Sequence, residues 1–243
     1  MSKGWGRIPI LNCAGNLIHQ RPPSFYPLAS QSTSARLSRA PDERRDANLT
    51  GSTGEQPLVV GIGGTIGSVS STERALRIAL DAACAQGFRT RMFGGEDMAR
   101  LPLYDPKATG RTAQEREFVD TVRQASAVII ASPGYHGSIS GVVKNALDLL
   151  EETAKDPRPY LADMPVGLIA TAYGWQATGS TIAALRSIVH ALRGWPTPFA
   201  AAINTQITKF DDEGGASDPA VLDQLRLVGR QVARFAPLGG SEA

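Results

Sequence analysis

The chain has 243 residues, enough for one α/β domain of ordinary size and an extension. Its net charge of +2 gives no electrostatic reason to expect nucleic acid, and no apolar run approaches the roughly 20 residues that span a membrane. Two cysteines give no disulfide framework, and together with three histidines they lack metal-site spacing. We therefore predict a metal-free, cytoplasmic protein without a nucleic-acid or membrane partner.

Residues 1–56 differ from the rest of the chain. They are rich in Ser, Arg and Pro, and they hold seven Lys/Arg against four Asp/Glu. The first forty contain no Asp or Glu, which is typical of an organellar transit peptide. We predict a disordered extension or an upstream mis-assigned start; a targeting segment and a partner-binding arm remain alternatives. Residues 57–243 are the predicted domain.

From Pro57 onward, the hydrophobic pattern alternates between strands and helices. Short apolar runs predict strands, and apolar residues three or four positions apart predict helices. In chain order the pattern predicts a strand at 58–62, a helix at 71–86, a strand at 88–93, a loop at 101–106, a helix at 112–125, a strand at 127–131, a helix at 139–153, a strand at 166–170, a helix at 177–193, a strand at 199–203 and a helix at 221–235. Five such strands imply a parallel sheet with helices on both faces.

The loop after the third strand is the most informative segment. Residues 132–138 read Ser-Pro-Gly-Tyr-His-Gly-Ser, and the following helix contains Lys144, Asn145 and Asp148. This sequence resembles the flavin-binding loop of the NADPH-dependent FMN reductase family, which reads Pro-x-Tyr-x-x-Ser followed by Leu-Lys-Asn-x-x-Asp. Val143 takes the Leu position. The resemblance covers about 57–205. It implies a flavodoxin-like doubly wound sheet in the order 2-1-3-4-5.

The loop after the first strand has a polar sequence at a helix N-terminus, where backbone N–H groups and the helix dipole favour anions. The resemblance implies that it binds the FMN phosphate, although Gly67 stands where the family often has Arg; Arg74 is a possible substitute. Ser70 and Glu73 also fit a capping box that needs no ligand. The predicted residues here are Gly64, Thr65, Ser68, Ser70, Ser71 and Thr72.

Three other interpretations of this loop fail on inspection. A dinucleotide fingerprint needs a third glycine where the chain has Ile66 and an acidic residue after the second strand. A Walker loop needs a Lys that is absent. Gly63-Gly64-Thr65-Ile66 is similar to a segment of L-asparaginases, but the partner segment His-Gly-Thr-Asp is missing.

The resemblance also implies the remaining cofactor contacts. The second loop would flank the isoalloxazine and ribityl groups, and the third, after the fourth strand, would face the pyrimidine edge; a Trp175 lid over the nicotinamide is one alternative to a packed surface aromatic. Lys144 and Asp148 are more simply an ion pair or an oligomer contact. The predicted residues are Pro133, Gly134, Tyr135, His136, Gly137 and Ser138 in the second loop, and Thr171, Tyr173, Gly174 and Trp175 in the third.

The resemblance implies an NAD(P)H-dependent FMN reductase that transfers hydride from NADPH or NADH to FMN and passes electrons to a small-molecule acceptor or free flavin. No side chain is a certain catalytic residue. The alternatives are an FMN-containing quinone or azo reductase, a flavodoxin-like carrier without nicotinamide turnover, and a non-enzymatic regulator.

A flavin-dependent monooxygenase is a possible partner. We expect a homodimer or homotetramer with helix 139–153 at the interface. Arg111, Arg116 and Arg186 are unranked candidates for a 2′-phosphate contact.

Overall fold

The computed structural model describes residues 56–66 and 70–236. The predictions for residues 1–55, for Gly67 and for Ser68 lie outside this part of the chain. The strands are β1 (Leu58–Gly63), β2 (Arg89–Phe93), β3 (Ala125–Tyr135), β4 (Ser138–Ile139), β5 (Pro165–Ala172) and β6 (Trp195–Asn204). The helices are α1 (Ser71–Cys84), α2 (Gly95–Ala99), α3 (Ala113–Arg123), α4 (Gly141–Asp148), which continues as a 3-10 turn (Leu149–Thr153), α5 (Trp175–Ala191) and α6 (Pro219–Phe235).

Five strands form a parallel sheet in the order β2-β1-β3-β5-β6, and the two-residue β4 pairs antiparallel with the end of β3. Apart from β4, this is the predicted flavodoxin-like order, which is confirmed. Strands β1 and β5 are buried along their whole length, because helices cover both faces of the sheet.

The two faces of the sheet have separate cores. Helices α1 and α6 pack together on one face, where Leu76 and Val228 are buried with Ile129 of β3. Helices α3, α4 and α5 cover the other face, where Phe118, Val143 and Leu185 are buried. The two apolar layers fix the sheet, so the loops at its carboxyl edge begin and end on rigid elements.

The predicted elements all form, but the structure corrects three points at the carboxyl edge. The predicted strand 127–131 extends to Tyr135, because its end pairs with β4. The predicted helix 139–153 begins at Gly141 and becomes a 3-10 turn at Leu149. Helix α2 was not predicted. Within residues 56–66 and 70–236, no helix is long and apolar enough to cross a membrane.

Candidate functional site

A pocket at the carboxyl edge of the sheet lies between the loops after β1 and β3. Its volume is about 420 Å³, and its lining residues are Thr65, Ile66, Tyr135, Ser140, Gly141 and Val142. Ile66 is 66% exposed and Tyr135 is 52% exposed, so apolar surface faces solvent from both loops. Exposed apolar side chains at the strand ends of an open α/β sheet are typical of a ligand site.

The second loop is a tight β-hairpin. Gly134 pairs with Ile139 and Tyr135 with Ser138, which leaves His136 and Gly137 as the two turn residues. Both have positive φ, 50° and 87°, as a type I′ turn requires. The hairpin therefore fixes where Tyr135 leaves the backbone, and it leaves the exposed His136 at the tip.

Two buried serines join this hairpin to α4. The Ser132 hydroxyl accepts a hydrogen bond from the Ser140 N–H at 2.9 Å and donates to the Pro133 carbonyl at 2.9 Å. Ser140 is the N-cap of α4, and its hydroxyl accepts from the Val143 N–H at 3.4 Å. The start of α4 is therefore held against the end of β3. Ser132 and Ser140 were not among the predicted site residues.

Gly134 faces α5 rather than open space. A Cβ atom at this position would lie 2.5 Å from Thr181 Oγ1, 3.1 Å from the Ala177 carbonyl oxygen and 3.2 Å from Ala172 Cβ. Real Cβ atoms do not approach so closely, so the second loop and α5 meet only because residue 134 has no side chain. This contact accounts for the glycine without a ligand.

The first loop confirms half of the predicted capping box. Ser70 is the N-cap of α1, and its hydroxyl accepts from the Glu73 N–H at 3.2 Å. The Glu73 carboxylate does not return the bond to Ser70. Its Oε2 accepts from the Gly95 N–H at 3.4 Å, because the start of α2 packs against the loop. Helix α2, which was not predicted from sequence, thus contributes to the position of this loop.

Two predicted residues from different loops bond to each other. The hydroxyl oxygens of Thr72 and Thr171 are 2.6 Å apart, and both residues are buried. The bond ties the first turn of α1 to the end of β5. It places the first and third loops side by side, as a shared ligand would need.

The third loop is more exposed than the other two. Tyr173 and Trp175 are 79% and 60% exposed, and neither lines the pocket between the first two loops. Gly174 is the N-cap of α5 and supplies no side-chain acceptor. The first N–H groups of α5 therefore lack a capping side chain and are free to bind a polar ligand edge.

Three of the arginines considered from sequence are engaged in other bonds. Arg74 donates to the Phe210 carbonyl at 2.7 Å and pairs with Asp212, so it reaches the loop after β6. Arg186 bonds the Thr197 and Pro198 carbonyls at the start of β6, the opposite edge of the sheet. Arg111 pairs with Glu115 and Glu152. Arg186 therefore lies away from the candidate pocket at the carboxyl edge.

Loop 101–106 is tethered by Asn145 of α4. Asn145 Oδ1 accepts from the Tyr104 N–H at 2.8 Å, and Nδ2 donates to the Pro102 carbonyl at 2.9 Å. Partial burial raises the pKa of the Tyr104 phenol, an effect opposed by Arg111, which stacks 4.8 Å from the ring centroid. The neighbouring Lys144–Asp148 ion pair, 2.6 Å, is as predicted.

Replacing Asn145 by alanine is expected to release loop 101–106. The two lost bonds leave a backbone N–H and a carbonyl without their partner, so thermal denaturation should show a loss of about 1–2 kcal/mol. Lys144→Ala is the matched control, because an exposed ion pair contributes at most about 1 kcal/mol. Equal, small effects of the two changes would show that the tether contributes little.

Ser70 allows its capping role to be separated from phosphate binding. Ser70→Ala should lower stability by about 0.5–2 kcal/mol in thermal unfolding, since it removes the N-cap. Ser70→Asp keeps a capping oxygen but adds a negative charge, so we expect stability near that of wild type and much weaker FMN binding in fluorescence titration. If Ser70→Asp binds FMN as tightly as wild type, the phosphate lies elsewhere.

Comparison with known proteins identifies the family. The family model described as NADPH-dependent FMN reductase matches residues 57–208. The chain belongs to this family. It is 31% identical over 142 residues to an FMN-dependent NADPH-azoreductase of Staphylococcus haemolyticus, a match that covers 54% of this chain and 69% of the relative. A relative of the same name in Staphylococcus aureus strain USA300 is 31% identical over 144 residues, covering 56% and 70% of the two chains.

Solved structures share the fold of this FMN reductase family member. The NAD(P)H:(acceptor) oxidoreductase FerB of Paracoccus denitrificans has a TM-score of 0.60 at 16% identity, over 74% of this chain and 99% of that one. An NADH:FMN oxidoreductase, EMOB, has a TM-score of 0.59 at 22% identity, over 77% and 92%. Family membership makes the chain an NAD(P)H-dependent flavin oxidoreductase with FMN as its cofactor and a reduced nicotinamide as co-substrate.

Proposed function

We propose that the chain binds FMN across the loops after β1, β3 and β5, and that the reduced flavin passes its electrons to a small azo or quinone acceptor. The carboxyl-edge pocket carries the proposal, because Thr65 and Ile66 face Tyr135 across about 420 Å³. That volume lies within the usual range for small-molecule sites. The azo class follows from the names of the staphylococcal relatives.

The donor groups at this edge fit FMN. The phosphate would be held at the positive end of α1, by the backbone N–H groups of Ser71 and Thr72 and by the hydroxyls of Ser70 and Ser71. The ring system would lie against Tyr135 and the hairpin backbone, and the uncapped N–H groups after Gly174 would bond its polar edge. His136, Gly137 and Ser138 would flank the ring from the exposed turn.

The protein's own contribution is positioning. When bound, FMN accepts a hydride from the reduced nicotinamide and supplies the electrons for the acceptor. Ser132 and Ser140 fix the hairpin, and the Thr72–Thr171 bond fixes the spacing of the other two loops. A rigid arrangement lowers the entropic cost of bringing two planar rings together. This role needs no side-chain acid or base.

An anaerobic reaction tests the proposal. Protein, FMN and NADPH are mixed, and loss of the oxidised-flavin absorption band is followed with matched NADPH oxidation. Bleaching that requires the protein, followed by reoxidation on adding an azo dye or a quinone, is the expected result. Tight FMN binding without bleaching would instead support a flavodoxin-like carrier. NADH in place of NADPH then gives the nicotinamide preference.

We further propose that residues 57–243 form the reductase domain. We also propose that the protein is a cytoplasmic homodimer or homotetramer. A flavin-dependent monooxygenase is a possible recipient of its reduced flavin. The exposed apolar side chains at the carboxyl edge favour self-association. Removing residues 1–56 should leave turnover intact, and light scattering of the full chain gives the oligomeric state. Loss of turnover on truncation would contradict the domain assignment.

A further inference from the structure

Glu73 occupies an unexpected place behind the first loop. Its side chain is only 13% exposed. One carboxylate oxygen accepts from the Gly95 N–H at 3.4 Å, and the other pairs with Arg77 at 3.4 Å. The carboxylate is thus partly neutralised and bonded to the start of α2, although it lies in the first turn of the helix whose N-terminus is the proposed phosphate site.

Gly95 in turn determines where the first loop can lie. A Cβ atom on Gly95 would be 1.8 Å from the Thr65 carbonyl oxygen, and a Cβ atom on Gly64 would be 2.8 Å from the Gly95 nitrogen. The two backbones are therefore in direct contact. Thr65 lines the candidate pocket, so any shift of Gly95 is transmitted to the pocket wall.

The turn before α2 is also anchored from its other side. Asp97 Oδ2 accepts from the Gly94 N–H at 3.2 Å and lies 3.4 Å from Arg91 of β2. Arg91 pairs at the same time with Glu117 of α3, at 3.2 Å. The Gly94–Gly95 turn is consequently clamped between α1 and the edge strand, which makes it a rigid support.

We infer that Glu73 is a positioning residue for flavin phosphate recognition, acting through Gly95 on Thr65 and the rest of the first loop. The inference rests on the proposed function, in which this loop holds the FMN phosphate. On this inference, the contact between α1 and the start of α2 gives the chain a preference for FMN over riboflavin. In this role Glu73 acts through the backbone of Gly95, to which its carboxylate is bonded.

The test compares two flavins that differ only in the phosphate. FMN and riboflavin are titrated separately into the full-length protein, and their dissociation constants are measured by fluorescence. Glu73→Ala should weaken FMN binding about fivefold to tenfold, the effect of one lost hydrogen bond, while riboflavin binding changes less than about twofold. A purely structural loss would weaken both flavins together.

Matched variants control for charge and for general destabilisation. Glu73→Gln keeps an oxygen acceptor and should restore the FMN-to-riboflavin ratio to the wild-type value or above. Asp156→Ala removes a different partly exposed ion pair, with Arg123 at the end of α3, and should leave the ratio unchanged. Gly95→Ala should lower the ratio further, whereas Gly110→Ala, whose Cβ would meet nothing within 4 Å, should not.

The possible results separate this inference from the proposed function. Wild-type protein that binds neither flavin would contradict the proposed function. Wild-type protein that binds FMN and riboflavin equally would retain the flavin site but overturn the inference. The inference is also overturned if Glu73→Ala leaves the ratio unchanged, or if Glu73→Gln lowers the ratio as much as Glu73→Ala.

Discussion

Gly134→Ala is expected to destabilise the protein by about 2 kcal/mol and to weaken FMN binding several-fold. The new Cβ atom would lie 2.5 Å from Thr181 Oγ1 and 3.1 Å from the Ala177 carbonyl oxygen, so the hairpin or α5 must move. The φ angle at Gly134 is not positive, so strain at residue 134 itself does not contribute. The loss of stability comes from overpacking between the second loop and α5, the helix that follows the third loop.

Gly179→Ala is the matched control for this prediction. Gly179 lies in α5, and a Cβ atom there would meet nothing within 4 Å. Alanine is the better helix former, so this variant should be as stable as wild type or more so, by up to about 1 kcal/mol. Chemical denaturation and FMN titration of both variants measure the difference. Equal stabilities would contradict the close packing of Gly134.

Ser132→Ala is expected to cost about 2 kcal/mol of unfolding free energy, because it leaves the buried Ser140 N–H without its acceptor. Ser132 is fully buried, and its hydroxyl accepts from that N–H at 2.9 Å. Loss of the bond should also loosen the start of α4 relative to Tyr135, so FMN binding should weaken. Denaturant titration gives the first effect and flavin titration the second.

Ser180→Ala separates the loss of a serine hydroxyl from the loss of this link. The Ser180 hydroxyl donates to the Ala177 carbonyl within its own helix, at 3.1 Å, so its removal should be nearly neutral. Unchanged stability and FMN affinity in Ser132→Ala would mean that the hairpin keeps its position without the serine pair.

The fold could be predicted from sequence because its determinants are local. The hydrophobic periodicity that identifies each strand or helix lies within that segment. Ser70, Ser140 and Asp218 cap the helices that they precede. Strand order came from the resemblance to the family. The hairpin after β3 was missed because Tyr135 and Ser138 pair across two turn residues, one of them His136, where hairpin turns usually have Asn or Asp followed by Gly.

The supports of the site could not be predicted, because they join residues far apart in sequence. Glu73 and Gly95 are 22 positions apart, Tyr104 and Asn145 are 41, and Thr72 and Thr171 are 99. The Ser-x-x-Glu pattern correctly predicts the Ser70 cap, but it cannot show that a glycine of another loop competes for Glu73. The Gly94-Gly95 pair, directly after the second strand, was the one sequence feature that indicated a close backbone contact there.

A second pocket is an alternative location for FMN. It has a volume of about 730 Å³ and lies at the opposite edge of the sheet, where Phe88, Pro198 and Phe235 contribute to its lining. It is larger than the carboxyl-edge pocket, but it lies away from the hydroxyl-rich loops and the N-terminus of α1. We therefore assign FMN to the carboxyl edge.

Hydrogen–deuterium exchange of the full-length protein, with and without FMN, tests this assignment most directly. We predict that FMN slows exchange in peptides from the loops after β1, β3 and β5, covering residues 64–72, 132–141 and 171–177, and leaves residues 195–198 and 230–236 unchanged. Protection at 195–198 and 230–236 without protection of the three loops would contradict it and place the flavin in the opposite pocket.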